Sequence, residues 1–175
     1  MSDIYVPTLG FLSPKYIDGM ENLIVRAAGG STQSTSFATV AQVDLLPNVF
    51  SNDRNNVRIE FEFIGQTVGV AGTKQFRTQI DGVTIYTPAS ANTTTNPGTF
   101  RIKLTIVFRN GQFIAYMRTI LGDGATGALN INSIGNNAGA FANFDPTIAH
   151  TILLQALVAN AADTVRCDWI GASLR

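Results

Sequence analysis

The stretch Val57-Arg58-Ile59-Glu60-Phe61-Glu62-Phe63 constrains the fold most, because its apolar and polar residues alternate strictly. Successive side chains of a strand point to opposite faces. Val57, Ile59, Phe61 and Phe63 therefore share one side, and Arg58, Glu60 and Glu62 the other. A helix would scatter the same apolar residues around its circumference. The segment reads as a half-buried strand.

Two hairpins can be placed in register. In Gln79-Ile80-Asp81-Gly82-Val83-Thr84, the Asp-Gly pair supplies the positive φ angles of a type I′ turn. Ile80 is then expected to face Val83, and Thr78 to face Ile85. In Phe108-Arg109-Asn110-Gly111-Gln112-Phe113, Asn-Gly takes the same role. Counting outward pairs Arg109 with Gln112, Phe108 with Phe113, Ile106 with Ala115, Leu104 with Met117, Ile102 with Thr119 and Phe100 with Leu121. One face of this ribbon is apolar almost throughout. The other carries Val107, Ile114, Thr105, Tyr116, Lys103, Arg118, Arg101 and Ile120, a mixed surface. A slip of one residue would turn the whole apolar set outward, which fixes the pairing.

Further strands are expected over 36–46, 74–80, 148–159 and 164–173. The run 148–159 is apolar on both faces, as in a strand buried on both sides, with a buried helix as the alternative. In the last segment Val165, Cys167 and Trp169 alternate onto one face. Counting each hairpin twice gives about eight strands and no long amphipathic helix. With 175 residues the chain is long enough for one domain with a sizeable core. The reading is an all-β fold: an eight-stranded antiparallel β-sandwich, jelly-roll-like, spanning 34–175. The strand count alone does not separate it from an immunoglobulin-like sandwich, although the Cys…Trp…Cys spacing of the latter is missing. Two long connections stand out: a polar one over 88–98 and a Gly-, Ala- and Asn-rich one over 122–146, which contains Ile131, Ile134, Phe141 and Phe144.

Residues 1–33 read as an N-terminal arm. Tyr5, Leu9, Phe11, Leu12 and Tyr16 lie in an apolar, proline-interrupted segment without a clean period. Such an arm packs on its own domain or docks on a partner, and these residues are the candidate partner-binding set.

Charge narrows the function classes. Lys plus Arg number 12 and Asp plus Glu number 12. Charged residues make up 14% of the chain, against roughly 25% in an ordinary soluble domain. A neutral chain lacks the electrostatic footprint of a nucleic-acid binder. A surface so poor in charge favours association, so we expect partners to cover it. No apolar run reaches the ~20 residues of a bilayer span, and the first residues lack the pattern of a signal peptide. No membrane partner is expected.

Little in the sequence points to catalysis. His150, the single histidine, sits in an apolar strand and reads as a structural residue. It also leaves transition-metal sites short of ligands. Cys167 is the single cysteine; it cannot form an intrachain disulfide, and its setting reads as core. Glu60 and Glu62 share a strand face ~7 Å apart, a spacing open to acid–base chemistry, but alternating glutamates on a polar face are first of all a solvated pattern. Asp123-Gly124 lacks the spacing of a calcium loop. Asn92-Thr93-Thr94 matches a glycosylation acceptor only as a three-residue pattern. Phosphate-loop, dinucleotide and nucleophile-elbow motifs are absent, and no cofactor is implied. Tyr86, Tyr116 and Phe113 are candidates to stack on sugars, with Phe113 assigned by register to the core.

The segments VRIEFEFIG (57–65), GTFRIKLTIVFRNG (98–111) and TILLQALVANAADTVRCDWIGASL (151–174) together resemble jelly-roll structural proteins of tailed bacteriophages. In that pattern a long basic-apolar strand runs into an Arg-containing hairpin. A terminal strand pair follows across a short Asn/Ala/Asp link, here Asn160-Ala161-Ala162-Asp163. The resemblance covers about 36–174. It implies a non-enzymatic virion protein of the capsid-decoration (cement) or tail-associated type. It further implies a homo-oligomer, with a trimer favoured, located on the capsid surface after assembly in the host cytoplasm. The major capsid protein or other virion proteins would be its partners. Val107, Ile114, Tyr116 and Ile120 are then the candidate subunit-interface residues. The alternative is a receptor- or carbohydrate-binding module at a tail tip or fibre, using 88–98 and 122–146.

Overall fold

The computed structural model describes residues 24–47, 57–69, 73–86, 98–109, 112–123, 129–135, 145 and 147–174. They form β1 (Ile24–Gly29), β2 (Ser31–Thr32), β3 (Ala38–Leu45), β4 (Val57–Val68), β5 (Lys74–Ile80), β6 (Val83–Tyr86), β7 (Gly98–Arg109), β8 (Gln112–Asp123), β9 (Leu129–Gly135), β10 (His150–Val158) and β11 (Thr164–Leu174). The strands make two antiparallel sheets, ordered β1-β3-β10-β5-β6 and β2-β11-β4-β7-β8-β9. This is an all-β sandwich, as the alternation in the sequence requires.

The eight expected strands are β3 to β8, β10 and β11. The other three arise where the sequence reading placed none. β1 and β2 fall within the stretch assigned to the arm, yet β1 pairs with β3 and β2 with β11. β9 lies inside the connection 122–146, read as irregular, and pairs along β8 from Tyr116–Gly135 to Gly122–Leu129. Its sequence, LNINSIG, is rich in asparagine and serine, which mask a strand signal.

The β7–β8 pairing matches the sequence register at every position, from Arg109–Gln112 to Phe100–Leu121. Phe100, Ile102, Leu104, Ile106, Ala115, Met117 and Leu121 all lie in the core. In the shorter hairpin Asp81 and Gly82 adopt φ of 50° and 79°, and Ile80 pairs with Val83 as expected. The expected pairing of Thr78 with Ile85 is corrected: Thr78 pairs with Tyr86, because a bulge leaves Ile85 as the extra residue. Segment 148–159 resolves as a strand and not a helix. Ile152, Leu154, Ala156 and Val158 of β10 are buried, whereas Leu153 and Leu157 on its other face are half-buried. β10 is thus covered fully on one face only.

The core lies between the sheets and joins Val43, Leu45, Phe76 and Leu154 of one to Ile59, Phe61, Phe63 and Phe100 of the other. The rings of Phe76 and Phe100 meet across the layers with centroids 4.7 Å apart, tilted at 50°. Gly65, paired with Phe100, makes room for that ring: a Cβ at Gly65 would lie 2.6 Å from the Phe100 ring and 2.0 Å from the Arg166 carbonyl oxygen.

One buried ion pair ties three strand ends together. Lys74 Nζ, opening β5, lies 3.0 Å from Asp163 Oδ2, just before β11, and both side chains are completely buried. Gly69, following β4, has φ of +120°, and a Cβ there would lie 2.2 Å from Asp163 Oδ1. A buried charge that loses its partner is costly to leave in an apolar interior. Lys74→Met is therefore expected to destabilise the protein by about 3–5 kcal/mol. The pair Lys74→Met with Asp163→Leu should recover part of that loss in urea unfolding.

Candidate functional site

Among the described residues the inner faces of the sheets are committed to the core, which leaves their outer faces to meet other molecules. On the six-stranded sheet, register places three rows side by side. Ser173, Glu60, Thr105 and Tyr116 form one; Gly171, Glu62, Lys103 and Arg118 the next; Trp169, Ile64, Arg101 and Ile120 the third. Val107 and Ile114 pair directly at the end nearest the β7–β8 turn. The four residues expected at a subunit interface therefore share this face: Val107, Ile114 and Ile120 are half-buried, and Tyr116 is 46% exposed.

The expected orientation of Trp169 is corrected. Val165 and Cys167 point into the core, but a bulge between Cys167 and Trp169 shifts the alternation, so Ile170 turns inward and Trp169 outward. Trp169 is 39% exposed. Its benzo ring lies over Gly171, occupying the space a Cβ there would need, with Cη2 2.1 Å from that position. The indole thus lies along the sheet surface, and any side chain at 171 would displace it. Simple alternation could not reveal this. The Trp-x-Gly spacing, which puts an empty position beside the ring on the same strand face, is the one hint the sequence carries.

The same outer face carries ion pairs. Arg58 and Lys103 both pair with Glu60, the latter at 2.8 Å, and Arg101 pairs with Glu62. Arg166 pairs with Asp168. The expectation that Glu60 is simply solvated is corrected: it is 4% exposed, enclosed between its two cations. Burial alone would raise its pKa, but hydrogen bonds and charge from Lys103 and Arg58 outweigh it and hold the carboxyl below the ordinary value.

The other candidate reactive groups are used structurally. Nδ1 of buried His150 lies 2.7 Å from Asp81 Oδ2, and Nε2 lies 2.8 Å from the Asp145 carbonyl oxygen. The second oxygen of Asp81 accepts from the Thr151 N–H at 2.8 Å. The clasp fastens the β5–β6 turn to the start of β10. Burial pushes the Cys167 thiol up to about 12, the opposite of what a nucleophile needs. Among the described residues no His, Cys, Asp and Glu gather as a metal site. No helix of the described residues is long and apolar enough to cross a membrane. Tyr5, Leu9, Phe11, Leu12, Tyr16 and Asn92 lie outside the described residues, as do the side chains of Tyr86 and Phe113.

No protein-family model matches the chain. No curated protein matches it significantly. Among solved structures, it is similar to the CBM2 module of the evolved Dit of Lactobacillus casei BL23 phage J-1. The sequences are 9% identical and the TM-score is 0.26, over 83% of this chain and 76% of that one. That superposition is too loose to define a shared fold.

Two outcomes follow from the site chemistry. Glu60 has a folded pKa below its ordinary 4.5, so its contribution to stability is complete above that value and is lost as pH falls through the folded pKa. Between about pH 5 and pH 3, the urea midpoint of the native protein should fall further than that of Glu60→Gln. Cys167 should resist iodoacetamide at about pH 8 in the folded protein and react once urea unfolds it.

Proposed function

We propose that the protein is a non-catalytic structural component of a tailed-bacteriophage virion. In this reading it is a capsid decoration protein that docks on the lattice as a homo-oligomer, a trimer. The observation that carries it is the shared outer face of Val107, Ile114, Tyr116 and Ile120, with Val107 and Ile114 in direct cross-strand contact. Burying such an apolar set between copies contributes roughly 25 cal/mol per Å². A chain with equal numbers of cations and carboxylates offers little long-range repulsion against packing of identical copies. The sequence pattern shared with phage jelly-roll proteins supports the virion assignment. The structural use of His150 and Cys167 and the ion-paired state of Glu60 and Glu62 support the absence of catalysis.

The hairpin end of the six-stranded sheet is the proposed contact between copies. The apolar segment of Tyr5, Leu9, Phe11, Leu12 and Tyr16 is the proposed contact with the major capsid protein. Light scattering is expected to give the mass of a trimer. Ile114→Glu, which puts a carboxylate into the apolar pair with Val107, should shift it to monomer without loss of the β spectrum. A trimeric mass that survives Ile114→Glu removes this face from the interface. Deleting residues 1–20 should leave the trimer intact and abolish its binding to capsids in electron micrographs. Normal decoration by the truncated form would refute the role of the arm.

A further inference from the structure

The contact between copies is proposed at the hairpin end of the outer face, where Val107 and Ile114 pair. Farther from that turn the face runs from Trp169 of β11 across β4 and β7 to Arg118 of β8, which Tyr116 and Ile120 flank, so a ligand there and a copy packed over Ile120 exclude one another. There the face has two features that a structural sheet surface does not need. One is Trp169, exposed and laid along β11 over Gly171. The other is an excess of positive charge. Arg58, Arg101, Lys103, Arg118 and Arg166 stand against Glu60, Glu62 and Asp168. Within a chain of zero net charge this imbalance is local. Lys103 and Arg118 are direct cross-strand partners. Like charges in that position repel. Among the described residues no carboxylate lies within ion-pair distance of Arg118.

We propose that this face binds an acidic saccharide chain, with a sugar ring stacked on the Trp169 indole and a carboxylate seated at Lys103 and Arg118. The chemistry of each part fits. The axial C–H face of a pyranose is apolar and matches an exposed aromatic plane. The Arg101–Glu62 pair lies beside the ring, since Arg101 shares its row and Glu62 is the cross-strand partner of Gly171. A guanidinium and a carboxylate side by side offer donors and acceptors together. Neighbouring sugar hydroxyls need both, because each can donate one hydrogen bond and accept others. Three strand spacings, ~14 Å, separate β11 from β8. The ligand must therefore be an oligosaccharide lying across the strands, not a single sugar. An anion over Lys103 and Arg118 would relieve their mutual repulsion and gain charge-assisted hydrogen bonds. Most of the connections 88–98 and 122–146, the sequence-based candidates for recognition, lies outside the described residues.

Trp169 is the sole tryptophan of the chain, so its fluorescence reports on this site alone. Titration with oligogalacturonate, hyaluronan and polysialic acid oligosaccharides at low salt is expected to give a saturable blue shift with at least one of them. Cellohexaose, a neutral control, should give none. By calorimetry with the responsive ligand, Trp169→Ala and Arg118→Gln should each weaken binding about tenfold. Added salt should weaken it further. Both positions are exposed, and the β spectrum of each variant checks that it folds. Absence of saturable binding to all three acidic probes would overturn the proposal, as would equal binding of cellohexaose or an unchanged affinity of Arg118→Gln. A blue shift that follows protein concentration without any saccharide would also overturn it, because a second copy would then cover the ring.

Discussion

The contact between Phe76 and Phe100 is what the remaining structure depends on. It joins the two sheets ring to ring, and it exists because position 65 carries no side chain. With Phe100 seated over Gly65, β4, β7 and β11 close up beneath it, and the register of all three is set relative to the opposite sheet. Packing at interior density tolerates little change in volume. The identity of one glycine in β4 therefore decides how the layers meet.

Once the inner faces are fixed, the outer faces are no longer free to vary in arrangement. Each outward residue is carried to its row by an inward neighbour. Glu60 and Glu62 lie between the buried Ile59, Phe61 and Phe63, and Lys103 between Ile102 and Leu104. The cross-strand ion pairs are thus a product of core register. The bulge in β11 is the exception that gives the surface its character. One added residue turns Trp169 out of the core that Cys167 still occupies.

How much of this was legible in the sequence depended on how local its cause was. The long hairpin was readable because Asn110-Gly111 fixes the turn and every residue outward follows by counting. The Asp81-Gly82 turn was equally readable, but the bulge at Ile85 was not, since it comes from how β5 pairs beyond the turn. Trp169 was misplaced for the same reason: alternation assumes an uninterrupted ladder, and the interruption is set by β4 across the sheet. Glu60 looked solvated because its two cations come from its own strand and from β7, and only the pairing of those strands encloses it. β9 escaped notice because a strand built on asparagine and serine is held by its neighbour and carries little signal of its own.

The two described strands latest in the sequence, β10 and β11, lie inside the sheets and not at their edges. β10 separates β3 from β5, so without it the first sheet is two disconnected pieces; β11 separates β2 from β4 in the other. Residues preceding β10 can therefore form hairpins but cannot close either layer. Long-range pairing of this kind is slow and leaves unpaired edges exposed meanwhile. No copy offers a finished outer face to another until β10 and β11 have both paired.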